Sequence, residues 1–308
     1  MAAAKGMLDK VHPNPKEQDP SDHNTYLLGE VCGHDVVVAC LPAGIYGIAP
    51  AATVAKDMLR TFKSIRFGLM VGIGGGIPSK KHDVRLGDIV VGQPSATNAG
   101  IVQYDRGNAL QKEGFERTGS LNTPPQVLLA ALSRLQAEHL TGDSRIPEFL
   151  ANLPQKMKKR FSHPGTSNDC LYLAKYPHVK DSPSCEECDH SQRVVREERD
   201  ETDPIIHYGT IASGSQLIKD SKKRDQIEKS IGALCVETEA AGLQDFPSIV
   251  IRGICDYADS HKNDIWQFYA AAVAAAFAKE LLSFMPPTRV LKVEPIPRLV
   301  SSKLGLGM

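Results

Sequence analysis

The 308-residue sequence contains no apolar run as long as the roughly 18 to 20 residues that a transmembrane helix needs. Its opening, MAAAKGMLDKVHP, places a charge every few residues and lacks the apolar core of a signal peptide. There is no excess of charge of either sign: 36 basic and 36 acidic residues cancel. A neutral chain has no electrostatic footprint for nucleic acid or an anionic membrane, although a local site can still hold a small anion. Cysteines are few and scattered. The seven are an odd count, and Cys32, Cys40, Cys235 and Cys255 sit in apolar contexts, so free thiols in a cytoplasmic protein are expected. No internal repeat is visible.

What is present is alternation of apolar, β-branched runs with helical spacing. Residues 1 to 10 read as the tail of a helix ended by Pro13 and Pro15. YLLGEVCG and DVVVACLP read as two strands turning at Gly33-His34, and APAATVAKDMLRTF as a helix with Pro50 in its first turn. SIRFGLMVGIGGGIP reads as a buried strand running into a glycine loop, and RLGDIVVGQP as another strand. From about 105 to 205 the character changes: one helix (PPQVLLAALSRLQAEHL) precedes a polar, Lys-, Pro- and Ser-rich stretch, read as an insertion. IHYGTIASGSQLI, ALCVETEAAGL and PSIVIRGICDYAD then read as strands. DSKKRDQIEKSIG reads as a surface helix closed by Gly232, and DIWQFYAAAVAAAFAKELLSFM as a long final helix. Strand-helix alternation of this kind predicts an α/β sheet with helices on both faces. One domain over 1–285 and a linker-like tail over 286–308 are expected.

Three segments carry chemistry. VGIGGGIP (Val71 to Pro78) is not a dinucleotide fingerprint. Its sixth position counted from Gly72 is Ile77 rather than Gly, and Pro78 follows in place of a helix. The glycines instead suit a backbone that approaches a ligand closely, or simply a turn. RGICDYADS ends an apolar strand on Asp256, where α/β sheets bind ligands; Asp is equally a cap or turn residue. In ALCVETEAAGLQD, Glu237 and Glu239 share one face if the segment is extended, which suits sugar hydroxyls or a metal, or else a solvated strand edge. Cys185-Glu-Glu-Cys188, with His190 beside it and Cys170 upstream, has zinc-ligand types but no clean second pair. An ordinary loop is the preferred reading, and neither a metal nor a cofactor is expected.

Together and in this order, VGIGGGIP, LGDIVVG, IASGSQLI, CVETEAAGL and VIRGICDYADS resemble the nucleoside phosphorylase and purine nucleosidase superfamily. DYADSHKN and the alanine-rich last helix resemble the fungal-type domains often fused to NACHT or ankyrin-repeat proteins. The resemblance implies a three-layer α/β/α fold around a mixed, partly barrel-like sheet, in a homodimer or higher homo-oligomer. It implies cleavage of the N-glycosidic bond of a small-molecule purine nucleoside or nucleotide, adenine preferred, with water as nucleophile. The alternatives are phosphorolysis, or a nucleoside sensor without catalysis.

On the matching positions, the resemblance implies that Glu239 holds the ribose 2′ and 3′ hydroxyls with Glu237 its weaker neighbour, and that Asp256 protonates purine N7. It implies likewise that Gly74 and Gly75 bring backbone near the nucleophile and ribose, and that Gln216, Leu217 and Ile218 line the base pocket. Thr238 replaces the family's usual methionine, Leu217 stands where related nucleosidases carry an aromatic, and Cys255 where many members have serine. Gly87 stands where hexameric phosphorylases carry a phosphate-binding arginine; Arg85 is the nearest substitute. Lys262 and His261 are candidates for a 5′-phosphate or ordinary surface charges. The family's opening central strand, with its acidic residue, is expected to be missing, because the sequence starts in the helix that follows it.

Overall fold

The structure is a computed structural model that describes residues 1–110, 114–142, 144–179, 182 and 184–297. Its first helix, α1 (Ala2–Met7), ends earlier than expected because Leu8 turns to extended backbone (φ −68°, ψ 134°). Residues Lys10–His12 then form strand β1, not helix, and pair antiparallel with β2 (Leu27–Val31). β2 turns into β3 (His34–Val38) through Cys32 (φ 50°) and Gly33 (φ 78°), the two left-handed residues of a tight hairpin turn. The turn is thus one residue earlier than expected, and His34 opens β3 with its Nε2 2.8 Å from the Met285 carbonyl oxygen.

Helix α2 (Ile48–Thr61) leads to β4 (Gly68–Gly76) and β5 (Ile89–Gly92). β6 (Ile101–Gln103) and a hairpin of β7 (Gly107–Leu110) and β8 (Gly114–Arg117) follow. Next come α3 (Gln126–Thr141), α4 (Ile146–Ala151) and α5 (Gln155–Lys158), and a stretch whose only helical pieces are single 3-10 turns. β9 (Ile206–Ser213) precedes α6 (Ser221–Ile231). Asp220 caps that helix at its start by accepting from the Lys222 N–H, and Gly232 ends it in the left-handed region (φ 63°). β10 (Ala233–Glu237), β11 (Ser248–Asp256), α7 (Gln267–Ser283) and α8 (Pro287–Val290) complete the chain.

The main sheet runs β10-β4-β11-β5-β9-β6, and β10 also pairs with β9, so five of its strands close into a ring. β4 pairs with β11 in parallel from Gly68 to Gly75, but meets β10 only at Gly75 and Gly76. α7 lies against β11 and β4. The fit is so close that a Cβ on Gly253 would stand 1.9 Å from the Ala270 carbonyl oxygen, which explains an alanine-rich helix facing a glycine.

Part of the segment read as a polar insertion is core. Leu128, Leu132, Leu135, Ile146 and Phe149 from α3 and α4 are buried in the same cluster as α7. Buried Glu280 of α7 fastens this layer by accepting from the Arg145 N–H (2.7 Å) and the Ser144 hydroxyl (3.0 Å). The start of the tail is core as well: Ile296 is 0% exposed, packs with Ala55 and Phe246, and donates its N–H to the Ile65 carbonyl. The rest of the tail, from 298 on, lies outside the described residues. Among the described residues, no helix is long and apolar enough to cross a membrane.

Candidate active site

Strand register brings the sequence-distant candidates together. Cys235 and Val236 of β10 face Gly76 and Gly75 of β4, Glu237 faces Ser213 of β9, and Asp256 of β11 faces Gly75 across an irregularity at Cys255. Gly74, Gly75, Ser213, Glu237, Arg252 and Asp256 therefore sit on four neighbouring strands of the ring. The glycines belong to β4 itself and not to a loop after it.

Their smallness has a spatial reason. A Cβ on Gly75 would lie 2.8 Å from Asp256 Oδ1 and 2.9 Å from the Ala258 Cβ. One on Gly74 would lie 3.1 Å from the Val236 carbonyl oxygen. The glycines let the β11 end and the β10 end close on β4 from either side.

β10 ends at Glu237, so the two glutamates do not share a face of one extended strand. The chain turns at Thr238, and Glu237 (6% exposed) bends back to accept from the backbone N–H groups of Glu239 (3.0 Å) and Ala240 (2.9 Å). That burial excludes the solvated-edge reading for Glu237. Arg252 Nη2 donates to the Glu237 carboxylate and lies 3.4 Å from Glu239 Oε2, which draws the acids together. The Thr238 hydroxyl donates to the Glu239 carboxylate. Glu237 is thus committed to backbone and Arg252, and Glu239, half-buried, is the acid with room for a further partner.

Asp256 closes β11. Its Oδ1 accepts from the Ala258 N–H at 2.8 Å, and its Oδ2 from the Lys262 ammonium at 2.6 Å. Burial pulls the Lys262 pKa down, but the facing Asp256 carboxylate outweighs it and the net shift is upward. Ala258 holds a left-handed backbone (φ 51°), a strained conformation for a residue with a side chain.

Two further side chains brace this loop. The Tyr257 hydroxyl donates to Asp169, and Arg196 reaches both Tyr257 Oη and Asp169 Oδ2 at 2.9 Å.

The remaining expectations divide. Ile218 is buried with Ile77, Val236 and Ala258, next to the site. Gln216 and Leu217 are exposed; Leu217 is 48% accessible, and Lys223 donates to the Gln216 side chain. Lys262 is not an ordinary surface charge, being held by Asp256. Nor is His261: it is buried, with its ring stacked 4.1 Å from Tyr172. Arg85 donates to Asp83 at 2.7 Å and to the Glu197 carbonyl at 2.6 Å, which engages it away from any phosphate role. An open depression lined by Gln136, His139, Ile206 and Tyr208 lies elsewhere; no candidate residue lines it.

Arg252 and Ser213, whose hydroxyl accepts the Ala241 N–H at 2.9 Å, were not singled out in the sequence. Arg252 carried a signal all the same: an arginine inside the apolar run SIVIRGIC needs a buried acid to face.

Comparison with known proteins places the chain in a family. A nucleotide-binding leucine-rich repeat (NLR)-like protein of Hyaloscypha variabilis is 44% identical over 289 residues, 93% of this chain and 28% of that protein. A 5′-methylthioadenosine/S-adenosylhomocysteine nucleosidase of Mycobacterium bovis is 30% identical over 89 residues, 27% of this chain and 35% of that one. The chain thus matches about a third or less of the length of these relatives. Among solved structures, the 5′-methylthioadenosine/S-adenosylhomocysteine nucleosidase of Neisseria meningitidis, in complex with methylthio-immucillin-A, shares the fold. Its TM-score is 0.57 at 16% identity, over 92% of this chain and 95% of that chain. Residues 4–284 match the model of the phosphorylase superfamily, and the chain belongs to that family.

Proposed function

We propose that this domain hydrolyses the N-glycosidic bond of purine nucleosides or nucleotides, adenine preferred, and releases the free base with ribose or ribose phosphate. The observation that carries the reading is that β4 places Gly75 between Asp256, which ends β11 on one side, and Val236 of β10 on the other, just before the turn that carries Glu239. Glu239 binds the ribose 2′ and 3′ hydroxyls, and its charge stabilises the oxocarbenium-like ribosyl cation. Asp256 gives a proton to purine N7 while the electron pair of the breaking C1′–N9 bond passes into the base. Solvent returns that proton to the carboxylate, and Lys262, 2.6 Å from Asp256 Oδ2, keeps its own proton and holds the carboxylate in place. Water adds to C1′ and loses its own proton to solvent. Arg252 is a positioning residue: it fixes Glu237, which fixes the turn that presents Glu239.

Two observations favour water over phosphate. Gly87 has no side chain to bind a phosphate, and Arg85 is engaged by Asp83 and Glu197. The nucleosidase named in Mycobacterium bovis and the nucleosidase structure from Neisseria meningitidis support the same choice.

The test is to incubate the protein with adenosine, inosine, guanosine, 5′-methylthioadenosine and ATP, with and without phosphate, and to measure free base. Adenine release independent of phosphate is expected. Release only with phosphate would make the domain a phosphorylase. Nucleoside binding by calorimetry without any released base would leave it a sensor.

A further inference from the structure

A second cluster lies outside the proposed catalytic site. One ligand atom each from His178, Cys185 and Cys188 lies within 4.8 Å of the others, and Cys188 is buried. All three residues lie in the stretch between α5 and β9, and neither cysteine is in a disulfide. The histidine is His178, not the His190 adjacent to the Cys-x-x-Cys pair in sequence.

We propose that His178, Cys185 and Cys188 form a structural zinc site that ties this stretch to the loop carrying Lys262. Two thiolates and one imidazole are three of the four donors of a tetrahedral zinc site, and a water completes it. The surroundings suit such a staple. Between Thr166 and Gln192 the described chain has only 3-10 turns, and one isolated bridge joins Tyr172 to Arg193, so little regular structure orders it. A metal then takes over the work of a hydrophobic core.

The cluster also touches the loop beyond Asp256. The His178 N–H donates to the Ser260 hydroxyl at 3.0 Å, and the Cys185 thiol donates to the His261 carbonyl at 3.7 Å. His178 Nε2 lies 3.0 Å from the Ser184 carbonyl oxygen, which orients the ring. Binding displaces one proton from each of the two thiols, so zinc affinity falls as pH falls.

The protein is purified under reducing conditions without chelator, and its metal is counted by mass spectrometry. About one zinc per chain is expected. Chelator-treated, still folded protein should take up cobalt(II) with the intense sulfur-to-metal absorption of a tetrahedral thiolate site. Cys188→Ser should lose most of the zinc and weaken that absorption, whereas His190→Ala should keep both. Folded, reduced wild-type protein that holds no zinc and gives no cobalt–thiolate band would overturn the proposal. So would a Cys185–Cys188 disulfide found by thiol counting, or zinc retained equally by Cys188→Ser. The cobalt titration uses the wild-type chain, so the proposal stays testable if a cysteine variant does not fold.

Discussion

The Arg252 guanidinium and the Glu237 carboxylate face each other inside the closed strand ring, 4% and 6% exposed, and each is the other's only charged partner at hydrogen-bonding distance among the described residues apart from Glu239. Two charges survive at such depth because each removes the other's desolvation cost, and because backbone N–H groups use the carboxylate's other lone pairs. Removing one partner strands the other. Arg252→Ala is expected to destabilise the fold by about 3–5 kcal/mol, read from urea unfolding. A loss below about 1 kcal/mol, the range of exposed pairs, would show that water reaches the pair.

Glu239→Gln and Asp256→Asn separate the two proposed roles. The asparagine keeps its acceptor for the Ala258 N–H but carries no transferable proton, so kcat for adenine release should fall about 10²- to 10⁴-fold. Glu239→Gln should raise KM for ribosides as well as lower kcat, because the ribose hydroxyls lose a charged acceptor. Unchanged kcat in Asp256→Asn would remove Asp256 from the chemistry.

Gly75→Ala tests the close approach of β4 to β11. The added methyl meets Asp256 Oδ1 at 2.8 Å and the Ala258 Cβ at 2.9 Å, in a place where backbone holds both. Overpacking of this kind costs about 1–3 kcal/mol, and the shift of Asp256 should reduce turnover more than it reduces stability. Thermal unfolding and the base-release assay on the same preparation would show whether activity falls without a matching loss of fold.

Asp88 sets an acid limit to stability. It is buried, and although burial alone raises its pKa, hydrogen bonds from Arg199 (2.6 Å) and His207 (2.9 Å) bring it below the ordinary value of 3.8. A carboxyl whose folded pKa is depressed stabilises the fold above its unfolded pKa, and that contribution fades as pH falls through the folded value. Unfolding midpoints should therefore drop steeply below about pH 3.8, and Arg199→Met should shift that loss to higher pH. A wild-type midpoint flat from pH 5 to 3 would contradict the assignment.

Several elements were legible from local pattern alone. The apolar run leading into the glycines and the run ending at Asp256 are strands, although the glycines expected as a loop belong to the first of them; the Asp220-to-Gly232 segment is a capped helix, and the alanine-rich helix lies where its spacing predicts. Those signals are local: side-chain periodicity, caps and glycine act within a few residues. The misreadings came where tertiary contact overrode local preference. Residues 10–12 became strand because β2 offered a pairing edge, and Ile296 was taken for linker although a pocket against Phe246 buries it.

The sequence by itself showed acids at or just beyond the ends of apolar strands, and so named Glu237, Glu239 and Asp256. Only the tertiary structure decided which partners each acid holds, because those partners come from other strands and loops. Arg252 takes Glu237 and reaches Glu239 at 3.4 Å; Lys262 takes Asp256; Asp169 and Arg196 hold Tyr257 from the far stretch before β9. The same stretch brings His178, and not the neighbouring His190, to the cysteines. Spacing along a chain sets which side chains share a local face, but the path of an irregular segment across the surface is set by buried contacts many residues away.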